Sequence, residues 1–111
     1  MEITFKNKKL KKTCNSEKEL IKKFGEACAI KINARLDDLD AAANLEMLKS
    51  LPGRCHELKG NKKGQLSLDL KHPLRLIIEP ANIDAEQKED GGLDWASVTG
   101  IMIIDIEDTH D

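Results

Sequence analysis

The feature that most constrains this chain is a change of hydrophobic period near residue 55. Before it, Leu20, Phe24, Cys28, Ile32, Leu36 and Leu39 recur at three- and four-residue steps, the spacing that gathers side chains on one face of a helix. After it, Leu66, Leu68 and Leu70 interleave with Gln65, Ser67 and Asp69, and Leu74, Leu76 and Ile78 interleave with Arg75 and Glu79. That alternation belongs to half-buried strands. A helical stripe followed by pleated faces has few compact solutions. The one predicted is an α+β fold in which an N-terminal helical pair packs on one face of a small, mainly antiparallel sheet.

Local signals divide the two halves further. Ser16-Glu17-Lys18-Glu19 fits a capping box, so a helix is predicted to begin there and to run about six turns along the apolar stripe. Asp40 is predicted to cap a second helix through Ala41, Ala42, Ala43, Leu45 and Leu48, which Pro52-Gly53 stops. Glu2-Ile3-Thr4-Phe5 reads as a short strand, and so does the segment around His56-Glu57-Leu58. The turn-rich 60–64 segment and Lys71-His72-Pro73 then join three strands into a meander. Residues 80–93 read as an exposed acidic loop. Asp94 is placed to cap one helical turn around Trp95, which reads as a core anchor between Leu93 and Val98. The last strand, Ile101 to Glu107, is apolar on both faces, as a strand inside a covered sheet would be. A length of 111 residues supports one hydrophobic core, so a single domain is predicted over residues 1–111.

Composition narrows the function classes. With 40% hydrophobic residues the chain has material for a core, which argues against disorder. No apolar run approaches the ~20 residues of a membrane-spanning helix, and no apolar segment follows the charged start as in a secretory signal. A cytoplasmic protein that does not engage a membrane is predicted. Cys14, Cys28 and Cys55 then read as reduced thiols, and no spacing among Cys and His sets up a metal site. Neither a metal nor another cofactor is called for. Residues 1–75 carry 17 Lys+Arg against 10 Asp+Glu, whereas residues 76–111 carry 1 against 10. The basic part is the electrostatic footprint of a polyanion binder, because neutralising phosphates releases their counterions. Lys8, Lys9, Lys11 and Lys12 either contribute to such a grip or decorate a solvated surface.

Three pieces gather polar groups suited to chemistry: His56 and Lys59 with Lys62 and Lys63, Arg75 inside a strand, and the terminal Asp108-Thr109-His110. Arg75 alternates with Leu74 and Leu76, so it should emerge on the sheet face away from the helices. RNA carries its own nucleophile, the 2′-hydroxyl. A protein that cleaves it needs a base for that proton, cations for the developing charge and an acid for the 5′-oxygen. Histidine fits either proton role, and Lys59, Lys62 and Arg75 fit the phosphate role. His110 as base and His56 as acid is one assignment; the reverse is equally open.

The stretch HELKGNKKGQLSLDLKHPLRLIIEP followed by DGGLDWASVTGIMIIDIEDTHD resembles the HELKG, strand, W-R-L/I, D-W-x-x-V and terminal D-Y-H pattern of HigB-type toxins in the RelE/ParE superfamily. The resemblance implies a RelE-like fold and the toxin role in a type II toxin–antitoxin pair. It implies ribosome-dependent, metal-independent endoribonuclease cleavage of mRNA. It implies neutralisation by a helix-turn-helix, HigA-like antitoxin, with operator DNA reached only through that antitoxin. It assigns His56, Lys59, Arg75, Asp108 and His110 to catalysis; beside it, Lys62, Lys63 and Thr109 are read as substrate-binding residues. Thr109 stands where the pattern has Tyr, and Leu74 where it often has an aromatic residue. Two other readings stay open: a ParE-like inhibitor that binds DNA gyrase, and a catalytically inactive module that binds only an antitoxin.

Overall fold

A computed structural model describes residues 1–82 and 91–108. Strand β1 (Glu2–Phe5) leads into helices α1 (Lys8–Cys14), α2 (Glu17–Phe24) and α3 (Glu26–Ala41). Strands β2 (His56–Glu57), β3 (Leu66–Asp69), β4 (Leu74–Pro80) and β5 (Gly100–Asp108) follow, with short 3₁₀ turns at Leu45–Ser50, Gly60–Lys62 and Trp95–Ser97. The sheet order is β1-β5-β4-β3-β2. β1 pairs parallel with β5, and the other neighbours are antiparallel. The architecture is α+β, with helices on a mainly antiparallel five-stranded sheet.

One half of the predicted capping box forms: the Ser16 Oγ accepts from the Glu19 N–H at 3.2 Å, while the Ser16 N–H donates to the Thr13 carbonyl at 3.2 Å and not to the Glu19 carboxylate. The helix it starts is shorter than predicted. Gly25 at φ 86 and ψ 160 breaks the run, its N–H closing α2 on the Ile21 carbonyl and its C=O opening α3 by accepting from Ala29. Only glycine adopts that backbone readily. The apolar stripe survives the break, since Leu20, Cys28, Ile32 and Leu39 are all buried.

The second helix predicted from Asp40 does not form, and this corrects the expected composition of the helical layer. Asp40 lies inside α3, which ends where Ala42 turns to an extended conformation. Leu45 then gives its N–H to the Val98 carbonyl at 3.0 Å instead of to a neighbour four residues back. A tertiary hydrogen bond has replaced a helical one. The 3₁₀ turn still buries Leu45 and Leu48. The helical layer is therefore α2 and α3, with α1 beside them. Asn7 caps α1, accepting from the Leu10 N–H at 2.8 Å, and its four lysines point into solvent.

The core lies between helices and sheet. Leu20, Ile32 and Leu39 meet Leu66, Leu68, Leu76, Ile78, Ile101 and Ile103, all fully buried. Trp95 is buried in the same cluster, and its indole N–H donates to Glu57 at 3.1 Å, so the predicted anchor holds. The predicted cap at Asp94 holds as well, its carboxylate accepting from the Ala96 N–H at 3.2 Å. Of the predicted acidic loop, residues 83–90 lie outside the described residues. Among the described residues no helix is long and apolar enough to cross a membrane.

One close approach ties α3 to the sheet. Arg35, 8% exposed, donates from Nε to the Asp69 carbonyl at 2.9 Å. A Cβ on Gly53, at φ 111, would lie 2.6 Å from that same Nε. Gly53→Ala is therefore expected to destabilise the protein by about 1–3 kcal/mol, from backbone strain and this contact together. Urea unfolding measures it. An unchanged midpoint would show that Arg35 moves aside freely.

Candidate functional site

Register places the polar residues. Arg75 on β4 lies opposite Asp69 on β3 and Glu107 on β5, and Ile77 lies opposite Ser67 and Asp105. His56 on β2 faces Ser67. Directly paired residues share a sheet face, so these side chains occupy the face away from the helices. The expectation for Arg75 is met: its side chain is 22% exposed there, between Leu74 and the buried Leu76. The Gly60–Lys62 turn lies over this face, because Lys62 Nζ reaches past β3 and β4 to Glu107 Oε1 at 2.6 Å. Ile77 and Ser67 are fully buried although they lie outside the main core, and Ser67 Oγ has no hydrogen-bond partner among the described residues.

Asp69 organises the charges. Its carboxylate accepts from Arg54 Nε at 3.0 Å and Nη2 at 3.3 Å, and Arg75 Nε approaches at 3.5 Å. Burial on its own works to raise the Asp69 pKa. The Arg54 hydrogen bond and the charges of Arg54, Arg75 and His56 outweigh it and hold the carboxyl below its ordinary value. The backbone joins in: the Asp69 N–H donates to the Gly53 carbonyl at 2.7 Å. Arg54 follows Gly53 at φ 49, a left-handed conformation uncommon for a residue with a side chain. An exposed ion pair contributes little, and glycine would hold this turn without strain. Stability alone does not account for an arginine here. A cleft of about 210 Å³ beside it is lined by Arg54, Asp69, His72, Leu74 and Arg75.

His56 Nδ1 lies 2.8 Å from the Arg54 carbonyl. A carbonyl only accepts, so Nδ1 carries a proton and Nε2 is left as the variable site. The neutral ring can take a proton at Nε2 and the charged ring can give one. Cys55, next in the chain, is no rival nucleophile: burial pushes its thiol up to about 12. Glu57 is structural, accepting from the Leu93 N–H at 3.2 Å as well as from Trp95.

The remaining predicted residues divide. Lys59 and Lys63 are exposed on either side of the Gly60–Lys62 turn and form no ion pair among the described residues, whereas Lys62 is held by Glu107. Asp108 ends β5 opposite Leu74, at the same end of the sheet as Arg75. Thr109 and His110 lie outside the described residues. Among the described residues, no cluster of three His, Cys, Asp or Glu is arranged to hold a metal ion. Sequence reasoning missed Arg54, Asp69 and His72. Arg54 sits behind a Pro-Gly turn signal, and Asp69 reads as one more outward polar residue until the strand register is known.

No family model matches the sequence, and no curated protein matches it. Solved structures do match in fold. A YoeB/ParE toxin from Agrobacterium tumefaciens aligns with TM-score 0.58 at 13% identity, over 99% of this chain and 100% of that one. The YoeB-YefM complex from Staphylococcus aureus gives 0.59 at 18% identity, over 99% and 98%. The YoeB dimer from Staphylococcus aureus gives 0.56 at 20% identity, again over 99% and 98%. The chain has the fold of the YoeB toxins along essentially its whole length.

Proposed function

We propose that this chain is the toxin of a type II toxin–antitoxin pair and that it cleaves messenger RNA on the translating ribosome, in the cytoplasm. The observation that carries the reading is the placement of His56 and Arg75 on the same sheet face, in a fold similar end to end to YoeB toxins. Lys59 and Lys63, both exposed beside that face, add positive charge toward a polyanion. HigB-type specificity rests on the sequence pattern alone.

The chemistry follows from what RNA brings. A histidine takes the proton of the 2′-hydroxyl, the oxygen attacks the adjacent phosphorus, and the bond to the 5′-oxygen breaks. The second histidine protonates that leaving oxygen. The products are a 2′,3′-cyclic phosphate and a 5′-hydroxyl, with no water or metal consumed in the step. His56 fills one proton role through Nε2, and His110, two residues beyond Asp108 in the chain, fills the other. Arg75 and Lys59 stabilise the charge that gathers on the phosphate in the transition state. Lys62 acts through its Glu107 bridge, which fixes the turn between Lys59 and Lys63. Thr109 contacts the substrate base without the stacking an aromatic ring would supply.

The YoeB-YefM complex suggests the partner class. This chain binds an antitoxin, in our reading a helix-turn-helix protein of the HigA type, and meets operator DNA only through it. The ribosome supplies the rest of the substrate positioning.

Primer extension on mRNA from cells induced for the chain tests the reading. Discrete cuts are expected in the parent. Arg75→Ala should lower cleavage by a factor on the order of 10²–10³, as is usual for one preorganised charge-stabilising donor. His110→Ala should abolish both cleavage and growth arrest at an unchanged melting temperature. Undiminished cleavage in both variants would remove these residues from the mechanism. Growth arrest with intact mRNA would favour the gyrase-inhibitor reading instead.

A further inference from the structure

Arg54 is absent from the mechanism above, yet the fold builds an elaborate support for it. Gly53 accepts from the Asp69 N–H, Arg35 fills the space beneath Gly53, and Asp69 takes two hydrogen bonds from the Arg54 guanidinium. The same carboxylate meets Arg75 through Nε. Two guanidinium groups are thus held side by side on one acid, at the wall of the 210 Å³ cleft that His72 also lines. Asp69 cancels one of the two positive charges, so the pair stays net positive. Lys71, exposed in the adjoining turn, adds another.

We propose that Arg54 and Arg75 form a two-arginine clamp for successive phosphates of one RNA strand, with Arg75 on the scissile phosphate and Arg54 on its neighbour. The proposal rests on the nuclease reading and deepens it by giving the site a second phosphate contact. Guanidinium suits the task because its planar donors match phosphate oxygens in pairs. Asp69 takes Nε and one N–H of Nη2 from Arg54 and faces Nε of Arg75, which leaves Nη1 and the second Nη2 N–H of Arg54, and the Nη groups of Arg75, for phosphate oxygens. Arg54 and Arg75 are here positioned by a shared acid, and neither has to be ordered when RNA arrives. A repeating anion fits this arrangement better than a single carboxylate does, since two arginines, with the exposed Lys71 in the adjoining turn, present more than one positive charge.

The test uses a single-stranded RNA oligonucleotide with 2′-O-methyl riboses, which binds but offers no nucleophile. Its affinity is measured over a range of salt for the parent and for Arg54→Gly, a substitution that keeps the left-handed backbone and removes the guanidinium. Arg54→Gly is expected to fold with an unchanged melting temperature and to bind roughly tenfold more weakly. Its plot of log affinity against log salt should be shallower by about 0.7, the loss of one phosphate contact on a single strand. Arg54→Asn, which also tolerates the left-handed region, should do the same. Parent-like affinity and slope in both variants, while the parent cleaves mRNA in cells, would overturn the clamp and leave the nuclease reading standing. A parent that neither binds the oligonucleotide nor cleaves mRNA would overturn both. Equal competition by a poly-glutamate peptide would reassign the arginines to an acidic protein partner.

Discussion

The site depends on one residue with four attachments. Asp69 gives its N–H to Gly53, takes the Arg35 Nε on its carbonyl, and holds Arg54 and Arg75 on its carboxylate. The first two bonds join the end of β3 to the 53–54 turn and to α3; the last two orient the positive charge. An exposed ion pair on its own is a weak interaction. Here the pairs share an acid whose backbone is fixed by the buried Arg35, so the helical layer and the sheet face opposite it are mechanically one unit. Burying a guanidinium is costly unless it is hydrogen-bonded, which is why Arg35 can serve as the tie only with the Asp69 carbonyl as acceptor.

Much of this was legible in the sequence, and the failures have a common cause. The change of period, the Ser16 cap, the meander, the outward Arg75 and the Trp95 anchor all follow from neighbours within a few residues. The break at Gly25 escaped because the apolar stripe keeps step through it. The helix expected from Asp40 escaped because the Leu45 N–H finds Val98, far along the chain. The parallel pairing of β1 with β5 joins the two ends of the chain, and nothing local announces it. Arg54 and Asp69 belong to the same class: fifteen residues apart, they become partners only through the β2–β3 register and a left-handed turn. Their one visible trace was the Pro-Gly signal ahead of Arg54.

A shared fold does not choose a function, since one scaffold carries many sites. The function has therefore to be argued from what the residues on this sheet face can do. An inhibitor that works by occupying a protein surface has no need of a histidine with a fixed tautomer beside an arginine cluster. A nuclease that borrows the RNA 2′-hydroxyl needs that set. Thr109, standing where the related pattern has Tyr, is the position at which such a nuclease would lose base stacking while keeping its phosphate contacts. In the proposed mechanism the charge is stabilised by Arg75 on β4 and Lys59 just after β2, independent of that residue.

The measurement that tests the central claim most directly is the chemistry of the cut ends. Fragments released by the purified chain from mRNA on translating ribosomes are probed for their termini by enzymatic end-labelling. Attack by the 2′-hydroxyl predicts a 5′-hydroxyl on the downstream fragment, which a kinase labels without prior phosphatase, and a 2′,3′-cyclic phosphate on the upstream one. A 5′-phosphate on the downstream fragment would mean that water or another external nucleophile had attacked, and would contradict the account.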